Sequence, residues 1–158
     1  MEQRLSSWRS LIYLIYANSD SIKYHDDKTL KLLITLTSII KYNQTGQLLE
    51  QIVQKMRKAE KNSMKKHEKV VFYSAHDATL LALLENLRIH ETNIMPSYSS
   101  GIIFELHELQ GRHFVKGYYY EGVTRDFTIQ KLPNCDNFCN LDDFEKLVND
   151  LVGMDAII

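Results

Sequence analysis

Val70-Val-Phe-Tyr-Ser-Ala75 runs directly into His76-Asp77 and then into Ala78-Thr-Leu80-Leu-Ala-Leu-Leu84. The first six residues are largely apolar, β-branched or aromatic without alternation, the pattern of a strand covered on both faces. Leu80, Leu81, Leu84 and Leu87 then fall on one face at helical spacing, with Asp77 placed to be the N-cap. Strand, tight turn and helix in direct succession predict an α/β architecture. In such sheets ligands bind at the carboxyl ends of strands, and the amino end of the following helix favours anions. His76 and Asp77 therefore hold the most functional address in the chain, although from the pair alone a plain helix cap and a buried, hydrogen-bonded histidine stand as an equal alternative.

Upstream, Leu32, Leu33, Leu36, Ile39 and Ile40 repeat at helical spacing, and Leu48, Leu49, Ile52, Val53, Met56 and Ala59 do so again after Gly46. Two amphipathic helices are predicted, over about 28–41 and 46–61. Downstream, Ile102, Phe104 and Leu106 alternate with Ile103, Glu105 and His107 before Gln110-Gly111, and Phe114 to Tyr120 returns, which reads as a β-hairpin. Asn140 then caps a last helix whose buried face is Leu141, Phe144, Leu147, Val148 and Leu151, with Asp142 and Asp143 in its first turn, where the helix dipole favours them. No internal repeat or low-complexity linker interrupts this order.

The 158 residues, 44% hydrophobic and 25% charged with 6 Gly and 2 Pro, exclude a disordered or fibrous chain. They suffice for one core, whether a whole domain or a piece of a larger one. Lys+Arg 19 against Asp+Glu 20 leaves no field to draw nucleic acid or an anionic membrane. The basic run Lys55, Arg57, Lys58, Lys61, Lys65, Lys66 and Lys69 carries no interleaved aromatic, so it reads as the solvated face of a helix and the loop after it. No stretch nears the ~18 apolar residues of a membrane span. Leu11 to Ala17, with Arg4 and Arg9 ahead of it, imitates a short secretory signal only faintly, since it contains two tyrosines; a buried helical or extended segment is expected there.

Cys135 and Cys139 sit in a loop after Pro133. One such pair is too few for a structural metal site, so a small disulfide in an oxidising compartment is favoured over free thiols. Asn43-Gln44-Thr45 is a glycosylation sequon that agrees with that compartment. His25, His67 and His90 lie in polar surroundings, and His107 and His113 belong to the hairpin as ordinary strand residues.

Tyr73-Ser-Ala-His-Asp-Ala-Thr-Leu80 resembles the second signature of the histidine acid phosphatases, a branch of the histidine phosphatase superfamily, in which a strand ends in a His-Asp pair. Pro96-Ser-Tyr-Ser-Ser100 leading to Phe104-Glu-Leu106 is similar to that family's next segment, and Val115-Lys-Gly-Tyr-Tyr119 to the strand after it. Leu132-Pro-Asn-Cys135, Cys139 and Asp143-Phe144 resemble the family's tail, including its short-loop disulfide, while Ser7-Trp8 and Thr45-Gly-Gln-Leu-Leu49 match upstream positions. The likeness implies an α/β, partial histidine-phosphatase fold: C-terminal strands of a mixed sheet flanked by helices, plus part of a helical cap. It divides the chain into a cap portion, 1–66, and the C-terminal part of the phosphatase domain, 67–158.

In this family a histidine attacks phosphorus and is transiently phosphorylated, arginines and a second histidine hold the phosphoryl oxygens, and a carboxylic acid protonates the leaving alcohol. The resemblance casts His76 as the phosphate-binding histidine and Asp77 as the general acid, with no metal and no cofactor, and a phosphomonoester or inorganic phosphate as ligand. An acid pH optimum follows, because a carboxyl beside a helix N-terminus must be protonated to donate. The family's nucleophile lies in an Arg-His-Gly-x-Arg-x-Pro signature, which these 158 residues do not contain; the only Arg-His dipeptide, Arg112-His113, continues into Phe114-Val115. The expectation is thus half a site, needing a missing N-terminal half or a homodimer as partner, with an inactive fragment acting at most as a binding module as the alternative. A secreted or lysosomal location is what the family implies.

Overall fold

The computed structural model describes residues 11–17, 45–61, 69–89 and 96–153. The helix expected over 28–41, the sequon residue Asn43 and His25, His67 and His90 lie outside them. The order is β1 (Leu11–Ala17), α1 (45–60), β2 (Val70–Ala75), α2 (Asp77–Asn86), β3 (Gly101–Leu109), β4 (Arg112–Tyr120), β5 (Phe127–Gln130), β6 (Cys139–Asn140) and α3 (Leu141–Gly153). Leu11–Ala17 is extended, as its β-branched and aromatic content allows.

The strands form one mixed sheet in the order β2-β1-β3-β4-β5, with β6 on the same side of β4 as β5. β1 runs parallel to β2 and antiparallel to β3. Leu11–Ala17 thus belongs to the sheet itself although it lies in the segment read as cap. The hairpin β3–β4 closes through Gln110 and Gly111, both at positive φ (52° and 75°), the backbone a two-residue turn between right-twisted strands requires. The predicted alternation holds: Ile102, Phe104 and Leu106 are buried, and Ile103 and Glu105 lie on the other face.

Ile102, Phe104, Leu106, Val115 and Tyr119 present one sheet face to a single core with α1 (Leu49, Ile52, Val53, Met56), α2 (Leu80, Leu83, Leu84, Leu87) and α3 (Leu141, Phe144, Val148, Leu151). Phe104 and Phe144 meet at its centre, ring centroids 5.6 Å apart. Arg57 ties α1 to α3: its Nε donates to Glu145 Oε2 at 3.0 Å, and its Nη2 reaches Glu145 and Asp142 at 2.5 Å. Burial pulls the Arg57 pKa down, but its hydrogen bonds to Glu145, Asp142 and Glu60 outweigh that and hold the guanidinium charged well above its ordinary range. Arg57 therefore turns inward to carboxylates, while Lys58 and Lys61 keep the exposure expected of the basic run.

The opposite face of the sheet is where expectation and structure part. Register places Val70, Phe72 and Ser74 of β2 in line with Ile103 of β3, Tyr118 and Tyr120 of β4, and Phe127 and Ile129 of β5. β2 is not covered on both faces: Val70 is 58% and Phe72 56% exposed, against partly buried Val71, Tyr73 and Ala75 on the helix side. A continuous apolar run signals two buried faces only when a layer lies on each, and all three described helices pack on one.

Candidate functional site

β2 ends at Ala75 and α2 begins at Asp77, so His76 alone makes the turn. Its backbone is extended (φ −92°, ψ 159°), and its carbonyl accepts the N–H groups of Thr79 and Leu80, both at 3.0 Å. His76, and not Asp77, is therefore the N-cap residue, and its side chain makes no capping bond. The correction has a physical reason: a strand that turns directly into a helix through one extended residue leaves the next position already helical. The imidazole is exposed, not buried among apolar neighbours. Asp77 is the first helical residue, half-buried, and its Oδ1 accepts the N–H of Ala78 at 2.6 Å. That bond satisfies one of the helix's unpaired donors and fixes the carboxylate over the positive end of α2. The arrangement presents an imidazole and a carboxylate side by side at a helix amino end, a pairing suited to holding an anion and exchanging a proton with it.

Register identifies what else lies at this end of the sheet. Ser74 aligns through Tyr16 with Gly101, and Gly101 pairs with Tyr120. The segments before β3 and after β4, 96–100 and 121–126, therefore flank the His76 end. Two strand spacings, about 10 Å, separate β2 from β3, and three, about 14 Å, separate it from β4. The two segments are joined by a polar network: Ser97 Oγ donates to Glu121 Oε1 and lies 2.8 Å from Ser100 Oγ, Tyr119 Oη donates to Glu121 Oε2 at 3.2 Å, and Gly122 N–H donates to Ser100 Oγ at 3.3 Å. Burial, with Glu121 adding to it, pushes the Tyr119 phenol up against the opposing effect of Ser100. Glu121 was not anticipated as part of this network, because Ser97 lies 24 residues back in the chain and only the sheet brings the two together.

The other residues singled out fall elsewhere. Arg112 pairs with Leu109 at the far end of β3, eight residues along the strand from Gly101, or roughly 27 Å. Arg112-His113 is accordingly at the opposite end of the sheet from His76, and His113 Nδ1 faces Glu60 at 3.8 Å. On the exposed face, Glu105 Oε2 accepts from Tyr118 Oη and lies at hydrogen-bond distance from His107 Nε2, each 3.0 Å. His107 is buried edge-on against Phe138, so it is more deeply set than an ordinary strand residue. Cys135 and Cys139 are joined in a disulfide, their Cα atoms 4.9 Å apart, and both sit in the core. Among the described residues no group of His, Cys, Asp and Glu is disposed to hold a metal ion, and no helix is long and apolar enough to cross a membrane.

A strand that delivers a His-Asp pair to a helix amino end, inside a mixed sheet whose later strands form an antiparallel hairpin, defines the class. The family model for the histidine phosphatase superfamily, branch 2, matches residues 6–120, and the chain belongs to that family. Among characterised relatives it is 30% identical over 116 residues to the venom acid phosphatase Acph-1 of Apis mellifera, covering 73% of this chain and 30% of that protein. It is 32% identical over 112 residues to the prostatic acid phosphatase of Mus musculus (71% of this chain, 29% of that protein) and 33% identical over 114 residues to the lysosomal acid phosphatase of Xenopus laevis (71% and 26%). The chain thus spans less than a third of the length of these relatives.

Proposed function

We propose that this chain carries the His-Asp part of an acid phosphatase-like site acting on phosphomonoesters. The observation that supports this best is the placement of an exposed His76 and a helix-held Asp77 together at the junction of β2 and α2. His76 binds a phosphoryl oxygen, with the amino end of α2 adding its partial positive charge. Asp77, in its acid form, gives a proton to the departing alcohol. The phosphoryl-accepting histidine and its arginines are supplied by polypeptide outside these 158 residues, since Arg112-His113 lies at the wrong end of the sheet. An oxidising compartment, secreted or lysosomal, agrees with the Cys135–Cys139 bond, and glycosylation at Asn43 belongs to the same reading.

The absence of an Arg-His-Gly sequence supports a second reading, a non-catalytic member that retains phosphate binding alone. Two measurements test these. Inorganic phosphate at about 10 mM, a weak-affinity regime, is expected to shift the His76 ring resonances in NMR and to leave those of His113 in place; an unmoved His76 removes both readings. The 158-residue chain is expected to release no p-nitrophenol from its phosphate ester near about pH 5. Turnover that disappears in His76→Ala would show that the nucleophile is not missing.

A further inference from the structure

The interleaving of cations with aromatic residues that the basic run from Lys55 to Lys69 lacks occurs along β4. Arg112, Phe114, Lys116, Tyr118 and Tyr120 occupy alternate positions, and Val115 and Tyr119 between them face the helices, so this series lies on the opposite face of the sheet. Arg112 Cζ stands 5.6 Å from the Phe114 ring centroid, and Lys116 Nζ lies over two rings, Tyr118 at 5.0 Å and Phe138 at 5.2 Å. Phe138 is 48% exposed. At the other end of the series Tyr120 meets Phe127, which is 63% exposed, with ring centroids 4.7 Å apart.

These two cations keep their charge. Glu105 stands directly opposite Lys116 in the register, where a cross-strand ion pair is expected. Its Oε2 instead accepts the Tyr118 hydroxyl and lies at hydrogen-bond distance from His107 Nε2, each 3.0 Å. Among the described residues no carboxylate oxygen comes within 4.0 Å of the Arg112 or Lys116 head group, whereas Arg57 meets three carboxylates. An aromatic face attracts a cation without neutralising it, so both remain able to take an anion. They are four residues apart, about 14 Å along the strand. The face thus offers two positive points on a straight line, with aromatic surface between and beside them.

A linear molecule with negative groups at intervals and apolar ring surfaces between them fits these features together. Acidic polysaccharides and single-stranded nucleic acids both have that character. The Cys135–Cys139 bond agrees with an oxidising compartment, and 19 Lys+Arg against 20 Asp+Glu supply no long-range field for a nucleic acid's dense phosphates, so the sugar polymer is the better match. We infer that the β4 face is a docking surface for an acidic polysaccharide, with sulfate or carboxylate groups on Arg112 and Lys116 and sugar rings packed on Phe127 and Phe138. Two cations on an open face make the binding weak and salt-sensitive. It uses neither His76 nor Asp77.

The probe is a heparin octasaccharide, titrated into the isotope-labelled full chain and followed by NMR. In about 50 mM salt a Kd between about 10 μM and 1 mM is expected, with shifts at Lys116, Phe127 and Phe138 and none at His76 or at the core residues Leu49 and Met56. Arg112→Gln with Lys116→Gln should weaken binding about tenfold or more and lower the slope of log affinity against log salt by about 2. Phe138→Ser should lower affinity and leave that slope in place. Lys61→Gln, at an exposed position just past α1, should change neither. Absence of shifts up to about 1 mM saccharide, shifts centred on His76, or an equal loss from Lys61→Gln would each overturn the proposal. So would an uncharged dextran fragment, or a single-stranded oligothymidylate, that binds the same residues as tightly. The shift map is made on the unaltered chain, so it decides the matter even if a variant folds poorly.

Discussion

Gly122 shows how tightly the network beside the site is built. A Cβ at this position would stand 2.0 Å from the Tyr98 carbonyl oxygen and 2.3 Å from the Ser99 carbonyl carbon, both backbone atoms that cannot swing aside. Gly122→Ala is therefore expected to cost about 2–4 kcal/mol, read by urea denaturation, and to loosen the Ser100 contact; a loss below about 0.5 kcal/mol would mean the two segments are not in contact. Tyr118 and Tyr119 carry a pH signature. Burial, the larger influence in each case, and the neighbouring Glu105 and Glu121 raise both phenols above the usual 10.0. A raised acid binds its proton more tightly in the folded state, so the stabilisation is present below the unfolded value and is lost as pH rises past it toward the folded one. Stability should fall above about pH 10, with a slope of up to about 1.4 kcal/mol per pH unit for each phenol that remains protonated while its unfolded counterpart ionises. Tyr118→Phe with Tyr119→Phe should flatten that slope in thermal melts across the alkaline range; an unchanged slope would place its origin elsewhere.

At the scale of elements, α3 begins with the cap its sequence announces. Asn140 Oδ1 accepts the Asp142 N–H at 2.9 Å, and Asn140→Ala should destabilise the chain by about 1 kcal/mol in denaturant titrations. The disulfide closes a loop with a sequence separation of four. So short a loop yields roughly 2 kcal/mol from chain entropy, and the double change Cys135→Ser and Cys139→Ser should cost about that much. Both thiols reacting freely with an alkylating agent without reductant would contradict the bond. α2, α3, the hairpin and the His-Asp turn were legible because each is specified by residues close together in sequence: leucines at helical spacing, an asparagine before two aspartates, strict alternation around Gln110-Gly111. The N-cap assignment slipped by one position because Asp77 has a capper's chemistry, whereas the backbone of the turn, invisible in composition, places His76 there. The inward turn of Arg57 and the Ser97–Glu121 link were unreadable because their partners lie far away along the chain.

For the whole molecule, the central fact is that all three described helices pack on one face of the sheet. Helices α1, α2 and α3 share the face of Ile102, Phe104 and Leu106, while Phe72 on β2 and Ile129 on β5, 56% and 55% exposed, mark the two sides of the opposite face. Monomeric proteins seldom leave a wide apolar face in water, and a chain that spans under a third of its relatives' length has family members with ample polypeptide to lie over it. If the face is bare in this chain, trimming it should be nearly free. Val70→Thr with Ile129→Thr keeps β-branched, strand-compatible side chains at two exposed positions of that face and removes apolar surface, so unfolding free energy should change by less than about 1 kcal/mol. Binding of a dye specific for apolar surface should fall. A covered face behaves oppositely, since burying two threonine hydroxyls and deleting packed apolar groups would cost several kcal/mol. The size of that loss therefore reports whether the second face of this sheet already has its layer or is still open to receive one.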